Sequence, residues 1–279
     1  MANTAFQVQY RQEFVAGFEQ GTSLLRTAVT TEAVIQAQQA TFLVADSGGA
    51  EAVTRGVNGL IPARADNLNQ YTATLVEWHD KPRRTKFNIF ASQGDGRRIM
   101  QQTTIKVMNR KIDQDILGEL ANTTTTINSG VGQVASLQMV MQAQTKLANN
   151  EVDIEEEDNM FFVASPAFRA YLMQIKEFQH AEYVDVKPFV GPARKMRRWA
   201  GFNWIFHPKI SGRATSSELC FAFHRNSIGH AVNTGDMEVD ADYNREDSYY
   251  WARSSIFMGA KLLQVTGAVK VVHDGSAYA

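Results

Sequence analysis

The side chains best suited to covalent chemistry in this 279-residue chain are one cysteine and six histidines. Cys220 sits in the run Leu219-Cys220-Phe221-Ala222-Phe223, with His224 and His230 close by in sequence. A thiol beside an imidazole is the pair that nucleophilic cysteine enzymes use. The run reads more simply as a buried strand, in which Cys220 and Phe221 point to opposite faces. Burial would raise the thiol's pKa and blunt it. A single cysteine also excludes an intramolecular disulfide and a zinc cluster of several thiolates. The histidines, at 79, 180, 207, 224, 230 and 273, show no metal-ligand spacing, so ordinary core and surface roles are expected for them.

Three further groups carry charge. Six of the eight residues from Glu151 to Asp158 are acidic. Carboxylates suit calcium or magnesium, but the run lacks the glycine and alternating spacing of a calcium loop. It reads as a solvated connector. Basic residues cluster at Lys81, Arg83, Arg84 and Lys86, and again at Arg194, Lys195, Arg197 and Arg198 beside Trp199. Such groups can bind nucleic acid. Yet 28 Lys plus Arg against 29 Asp plus Glu leave a net charge of −1, which argues against a protein that coats DNA through many phosphate contacts. Ionic contacts to acidic patches on neighbouring subunits fit that balance better. Gly-rich phosphate loops and nucleophile elbows are absent from the sequence. No residue is therefore assigned as catalytic, cofactor-binding or metal-ligating, no cofactor is expected, and the chain is read as a non-enzyme.

With 44% hydrophobic and 20% charged residues, the composition is that of a folded protein. The start, Met1-Ala2-Asn3-Thr4, lacks a secretory pattern. The longest uncharged stretch, Leu120 to Thr145, is half Thr, Ser, Asn and Gln (13 of 26), a poor membrane span. A soluble, non-secreted protein is expected.

The elements follow from periodicity. Phe6, Tyr10, Phe14 and Phe18 form a short aromatic helical stripe that ends at Gly17 and Gly21. Thr41–Ala45 and Gln70–Trp78 have strand composition, and the connection Asp46–Asn69 between them is rich in glycine. Two strands alone are barely stable in water, and a connection of about twenty residues is uncommon inside a compact domain. The arm must lean on another surface, most simply another subunit. From Arg97 to Ala121, Ile105, Met108, Ile112, Ile116 and Leu120 mark a long helix of roughly 37 Å, with Asp95 as its expected cap. A second helix is expected to bury Val134, Leu137, Met141 and Leu147 or Ala148. Next come a strand at Met160–Ala164 and a third helix opened by Ser165-Pro166, a strong start signal, with Phe168, Leu172, Ile175 and Phe178 or Gln179 inward. Strands follow at Phe202–His207, Leu219–His224, Tyr249–Met258 and Ala268–Val272. Helix and strand mix without βαβ alternation, so the fold class is α+β.

In that order the pieces resemble the major capsid proteins of tailed bacteriophages, with the Hong Kong phage-like capsid fold. Four phrases carry the resemblance: QGTSLLRTAVT (20–30), an opening arm; NRKIDQDILGEL (109–120), a spine helix; FFVASPAFRAYLM (161–173), the strand–cap–helix of an axial domain; and YYWARSSIFMGAKLLQVTGAVKVVHD (249–274), the closing strands. The resemblance implies an N-terminal arm (1–40), an extended two-stranded E-loop (41–90), a peripheral domain with the spine helix (91–159), a mixed axial domain (160–245) and return strands of the peripheral domain (246–279). It implies a chain that self-assembles into pentamers and hexamers of an icosahedral shell enclosing double-stranded DNA, held without sequence-specific binding. The implied place is the virion capsid, assembled in the bacterial host cytoplasm, with no membrane partner. A separate scaffolding protein is an expected partner, because only about 40 residues precede the E-loop; the resemblance also implies a portal, and a decoration protein is an optional one. Residues 41–80 contain no lysine, so the E-loop cross-link of some relatives is not expected. The alternative is an encapsulin-like compartment of the same fold holding an enzyme cargo. An enzyme using Cys220 and a histidine stands as the rival from another class.

Overall fold

A computed structural model describes residues 21–34, 37–47, 49–59, 61, 63, 67–91, 96–128, 133–175, 197–235 and 237–278. The aromatic stripe at 6–18, the Asp95 cap, His180, Phe178, Gln179, Arg194 and Lys195 lie outside them. The chain forms two compact units, one built mainly from 77–111 and 235–257, the other from 24–76, 112–234 and 258–279.

The larger unit is organised by a six-stranded mixed sheet. Its order is β6 (Thr126–Asn128), β14 (Ala268–His273), β10 (Glu218–His224), β7 (Met160–Ala164), β9 (Phe202–Phe206) and β8 (Arg197–Trp199). All five residues of β7 are buried, the pattern of a strand covered on both faces. Phe162 stands opposite Trp204 in the parallel β7–β9 ladder, and their rings stack at 4.3 Å. Phe168 and Phe202 close around Phe162 at 5.4 and 5.6 Å. Each such ring contributes about 2–3 kcal/mol by leaving water. Phe168 reaches this cluster from α4 (Pro166–Leu172), which begins where the sequence announced it. The Ser165 side chain accepts the Phe168 amide at 3.0 Å, with Pro166 in the first turn.

Around this sheet, α3 (Leu137–Asn149) buries Met139, Val140, Ala143 and Leu147. The expected face held at Leu147 and in part at Leu137, which is half-buried, but Val134 and Met141 are nearly half exposed, and Ala148 is exposed too. A 13-residue helix in which apolar residues occur on several sides supports more than one stripe, and only the packing against β14 and β10 chooses between them.

The same unit holds β1 (Thr30–Val34), parallel to β11 (Ile228–Asn233), which pairs in turn with the second half of β13 (Tyr249–Leu262). It also holds a separate hairpin, β2 (Gln39–Asp46) and β3 (Asn67–Thr74), whose ladder runs from Gln39↔Thr74 to Asp46↔Asn67. The hairpin's ladder stops at Thr74. The strands that follow, β4 (Val76–Asp80) and β5 (Arg83–Thr85), pair with β13 instead.

In the smaller unit β5 and β12 (Glu238–Asn244) flank the first half of β13, beside the short helix α1 (Lys86–Ala91) and the start of α2 (Gly96–Leu120). α2 is the expected long helix to within a residue at each end. Among its buried positions, Met100, Thr104, Met108, Ile112, Ile116 and Leu120 recur every fourth residue, with Asp113 and Leu117 buried beside them. At 3.6 residues per turn, four residues overshoot a full turn by about 40°, so the stripe winds through roughly 200° along the helix. Its two ends thus bury different sides, as befits a helix that contributes to both units.

Candidate assembly site

The hairpin has one satisfied face and one that is not. Along β2 burial alternates: Ala40 and Phe42 turn inward, Thr41 and Leu43 outward. Ala40, Phe42 and Ala73 pack with Ala231 of β11 and Leu263, and Val34, Val44, Tyr71 and Leu75 close around them. Two glycines allow this seat. A Cβ on Gly229 would sit 2.8 Å from the Phe42 ring, and one on Gly259 would sit 2.2 Å from the Thr74 carbonyl oxygen, closer than side chains ever approach. Because successive strand residues face opposite ways, Leu43 and Leu68 share the other face. They are 79% and 74% exposed. The connection beyond them adds exposed Val53, Val57 and Ile61. Fully covering each of these side chains is worth about 1.5–3 kcal/mol, and among the described residues this chain leaves all five in water.

Elsewhere in this unit, a buried carboxylate ties the N-terminal segment to the sheet. Asp113 of α2 accepts the Leu24 and Leu25 amides, each at 3.1 Å, and lies 3.2 Å from His207 Nε2. Both side chains are fully buried. The Lys209 amide donates to His207 Nδ1 at 3.1 Å. That places the imidazole proton on Nε2, where it donates to Asp113. His207 is itself held by its own amide on Ala164 at the end of β7. One carboxylate therefore fixes three segments that lie some ninety residues apart.

Cys220 does meet an imidazole, but not one of the two nearest in sequence. Its Sγ lies 3.8 Å from His273 Nδ1, while His224 and His230 stand at the end of β10 and within β11. The reason is the antiparallel β10–β14 ladder, which sets Glu218 opposite His273 and Cys220 opposite Val271. Burial pushes the thiol up to about 12, so it is protonated and donates to Nδ1. Nε2 then faces Glu218 Oε2 at 3.1 Å and Ser165 Oγ at 3.4 Å. Glu218 also accepts the Ala214 amide at 2.6 Å. Desolvation holds the His273 pKa below its usual value, against the pull of the Glu218 charge. A sealed, protonated thiol is a poor nucleophile, and the cluster's geometry is that of a polar tie between strands.

The acidic run is an exposed connector between α3 and β7. Among the described residues no group of three or more His, Cys, Asp or Glu could hold a metal ion. Asp158 of this run pairs within the chain, with Arg198, whose Nε also donates to Asn203 at 3.2 Å. For this member of the second basic cluster the acidic partner is its own chain rather than a neighbour. The first cluster lies along β5, where Lys81 stands 4.6 Å over the Trp251 ring and Arg83 4.9 Å over Tyr249. Local spacing missed Asp113–His207 and Glu218–His273 because each partner is far away in sequence. Only a buried polar residue inside an apolar stripe, such as Asp113 between Ile112 and Ile116, hinted at one of them.

A two-stranded hairpin with an apolar outer face, a long helix and a mixed sheet are the elements expected of a tailed-phage capsid fold. Solved capsid structures share it. The chain is similar to a structure from Mycobacterium phage Che8 (TM-score 0.74, 12% identity, 97% of this chain and 98% of that one). It is similar to the capsid of a native GTA particle (TM-score 0.70, 14% identity, 98% and 96%) and to the capsid of Ralstonia phage GP4 (TM-score 0.70, 10% identity, 97% and 96%). No curated protein matches it in sequence. The phage capsid protein family model matches residues 2–274. The chain belongs to the phage capsid protein family.

Proposed function

We infer that this chain is the major capsid protein of a tailed phage, a structural protein of the virion rather than an enzyme. Copies of it associate into pentamers and hexamers and close into an icosahedral shell around double-stranded DNA. Assembly takes place in the host cytoplasm with a separate scaffolding protein and a portal. The observation that carries this reading is the hairpin. In a chain of the phage capsid family, Leu43, Leu68 and the exposed apolar residues beyond them form a surface suited to a neighbouring copy. Head-to-tail contacts of that kind close into rings, and many weak contacts sum to a durable shell. The shell's chemistry is that of burial and geometry, and the buried thiol takes no part in it.

The test is negative-stain electron microscopy and sedimentation of the purified chain, expressed alone and together with its scaffolding protein. Shells, rings or tubes are expected from the native sequence. Dispersed subunits or isolated capsomers are expected when Leu43→Asp and Leu68→Asp are combined. A compact monomer from the native sequence under both conditions overturns the reading.

A further inference from the structure

Around Tyr249–Trp251 the sheet of the smaller unit is a three-stranded ribbon, and its two edges there differ in charge. At Tyr249, Tyr250 and Trp251, β13 pairs on one side with β5 (Thr85, Arg84, Arg83) and on the other with β12 (Asn244, Tyr243, Asp242). It is therefore the middle strand there. Among the described residues neither β5 nor β12 carries a further strand on its outer side. The β5 edge is basic, with Lys81, Arg83, Arg84 and Lys86 and no carboxylate between them; the carboxylates Glu77 and Asp80 lie on β4 just before it, and Glu77 is engaged by His79 at 2.9 Å. The β12 edge and the turn after it are acidic, with Glu238, Asp240, Asp242, Glu246 and Asp247 against one cation, Arg245. Open strand edges invite pairing with another chain, and charge is the usual means of controlling it.

We propose that this ribbon is a self-complementary electrostatic connector, in which the basic β5 edge of one copy meets the acidic β12 edge of a second copy. The proposal rests on the capsid reading above and adds to it a surface separate from the hairpin. Three observations support the second copy as occupant. The charges on the two sides of one small element are opposite in sign, so a partner that fits one edge is presented by the other edge of an identical chain. The cations are held ready, because Lys81 and Arg83 lie against the Trp251 and Tyr249 rings, which reduces the side-chain entropy lost on contact. The two edges cannot satisfy each other within the ribbon. Arg83 and Asp242 lie opposite each other across Trp251, two strand spacings or roughly 10 Å apart, about one screening length at physiological salt. Asp240, by contrast, is already engaged by Arg253 at 2.6 Å, which leaves exposed Asp242, Glu246 and Glu238 as the outward-facing acids. The contact joins different surfaces, so it is heterologous and propagates until a ring closes.

The experiment reverses one edge at a time in the full chain. One variant carries Arg83→Glu and Lys86→Glu, another Asp242→Lys and Glu246→Lys, and a third carries all four. Thermal melting of the subunits first shows that these exposed substitutions leave the fold intact. Shell yield is then measured by sedimentation and electron microscopy at about 0.15 M salt. Each single-edge reversal is expected to cut the yield about tenfold or more, because like charges then face each other at the contact. The four-fold variant, complementary again with the signs exchanged, is expected to recover it. Native yield from both single-edge variants overturns the connector. So does a four-fold variant that melts normally and still fails to assemble. If the native chain itself makes no shells, the capsid reading falls and the connector with it; shells from every variant remove the connector alone.

Discussion

The β7–β9 core and the β2–β3 hairpin are both rich in apolar strand residues, and they end in opposite states. In the core, Phe162 and Trp204 are fully buried, with neighbouring strands at both edges and helical cover from α4. In the hairpin, the same alternation buries Ala40 and Phe42 and leaves Leu43 and Leu68 in water. The difference is the number of layers. A strand in the middle of a covered sheet has partners on each face, whereas a two-stranded ribbon resting on one surface has partners on one face only. The core is thus complete within the chain, while the hairpin's outer face is left exposed by it.

The largest effect expected is on the core. Phe162→Ala should cost about 3–5 kcal/mol, enough to leave most of the chain unfolded or insoluble, as read by thermal melting of whatever soluble fraction remains. A melting point within a few degrees of native would mean that the aromatic cluster is not the unit's keystone. Next comes the polar tie. Asp113→Ala strands two backbone amides and the His207 Nε2 proton in a buried place, a loss of about 2–3 kcal/mol. Hydrogen exchange should show the Leu24 and Leu25 amides opening first. Uniform exchange through the whole unit would contradict the local role given to this carboxylate.

On the hairpin the contrast should invert. Leu43→Asp with Leu68→Asp should move the subunit's melting free energy by no more than about 0.5 kcal/mol, the usual range for exposed positions, while removing shells. A large loss of subunit stability would show that the outer face is covered within the chain, and the comparison between the two regions would collapse.

The smallest effect concerns pH. His273 has its pKa held below the ordinary 6.5 by burial, so the unfolded chain takes up a proton that the folded chain resists. Stability should therefore fall as the pH drops below about 6.5, until the folded form too is protonated. His273→Gln should flatten that part of the profile, measured as melting temperature against pH between 5 and 7.5. An unchanged slope would assign the acid sensitivity to other groups.

How much of this was legible in the sequence depended on the range of the interaction. α2 was legible because its apolar residues repeat every turn, and α4 because Ser165 and Pro166 are a local start signal. The face of α3 was not, since its apolar residues fit several stripes and only the neighbouring sheet selects one. β11 and β12 were passed over for a related reason. β11 is short and contains Gly229, which the Phe42 ring requires for its seat, and β12 reads as a polar, charged segment because it lies at an edge. The hairpin's need for a supporting surface was legible from two strand patterns joined by a long, poorly patterned connection, but the surface expected was another subunit, and for the inner face the structure supplies this chain's own Ala231 and Leu263.

What the sequence determined by itself, then, was everything set by neighbours along the chain: the long helix, the capped helix, the core strands and the two strands of the hairpin. The tertiary structure decided the pairings across it. It matched Cys220 with His273 rather than with His224 or His230, seated Asp113 on His207 and the Leu24 and Leu25 amides, and gave the ribbon one basic and one acidic edge. Those choices rest on strand register and chain crossings, which bring together residues dozens of positions apart, and no local spacing encodes which of the available partners will meet.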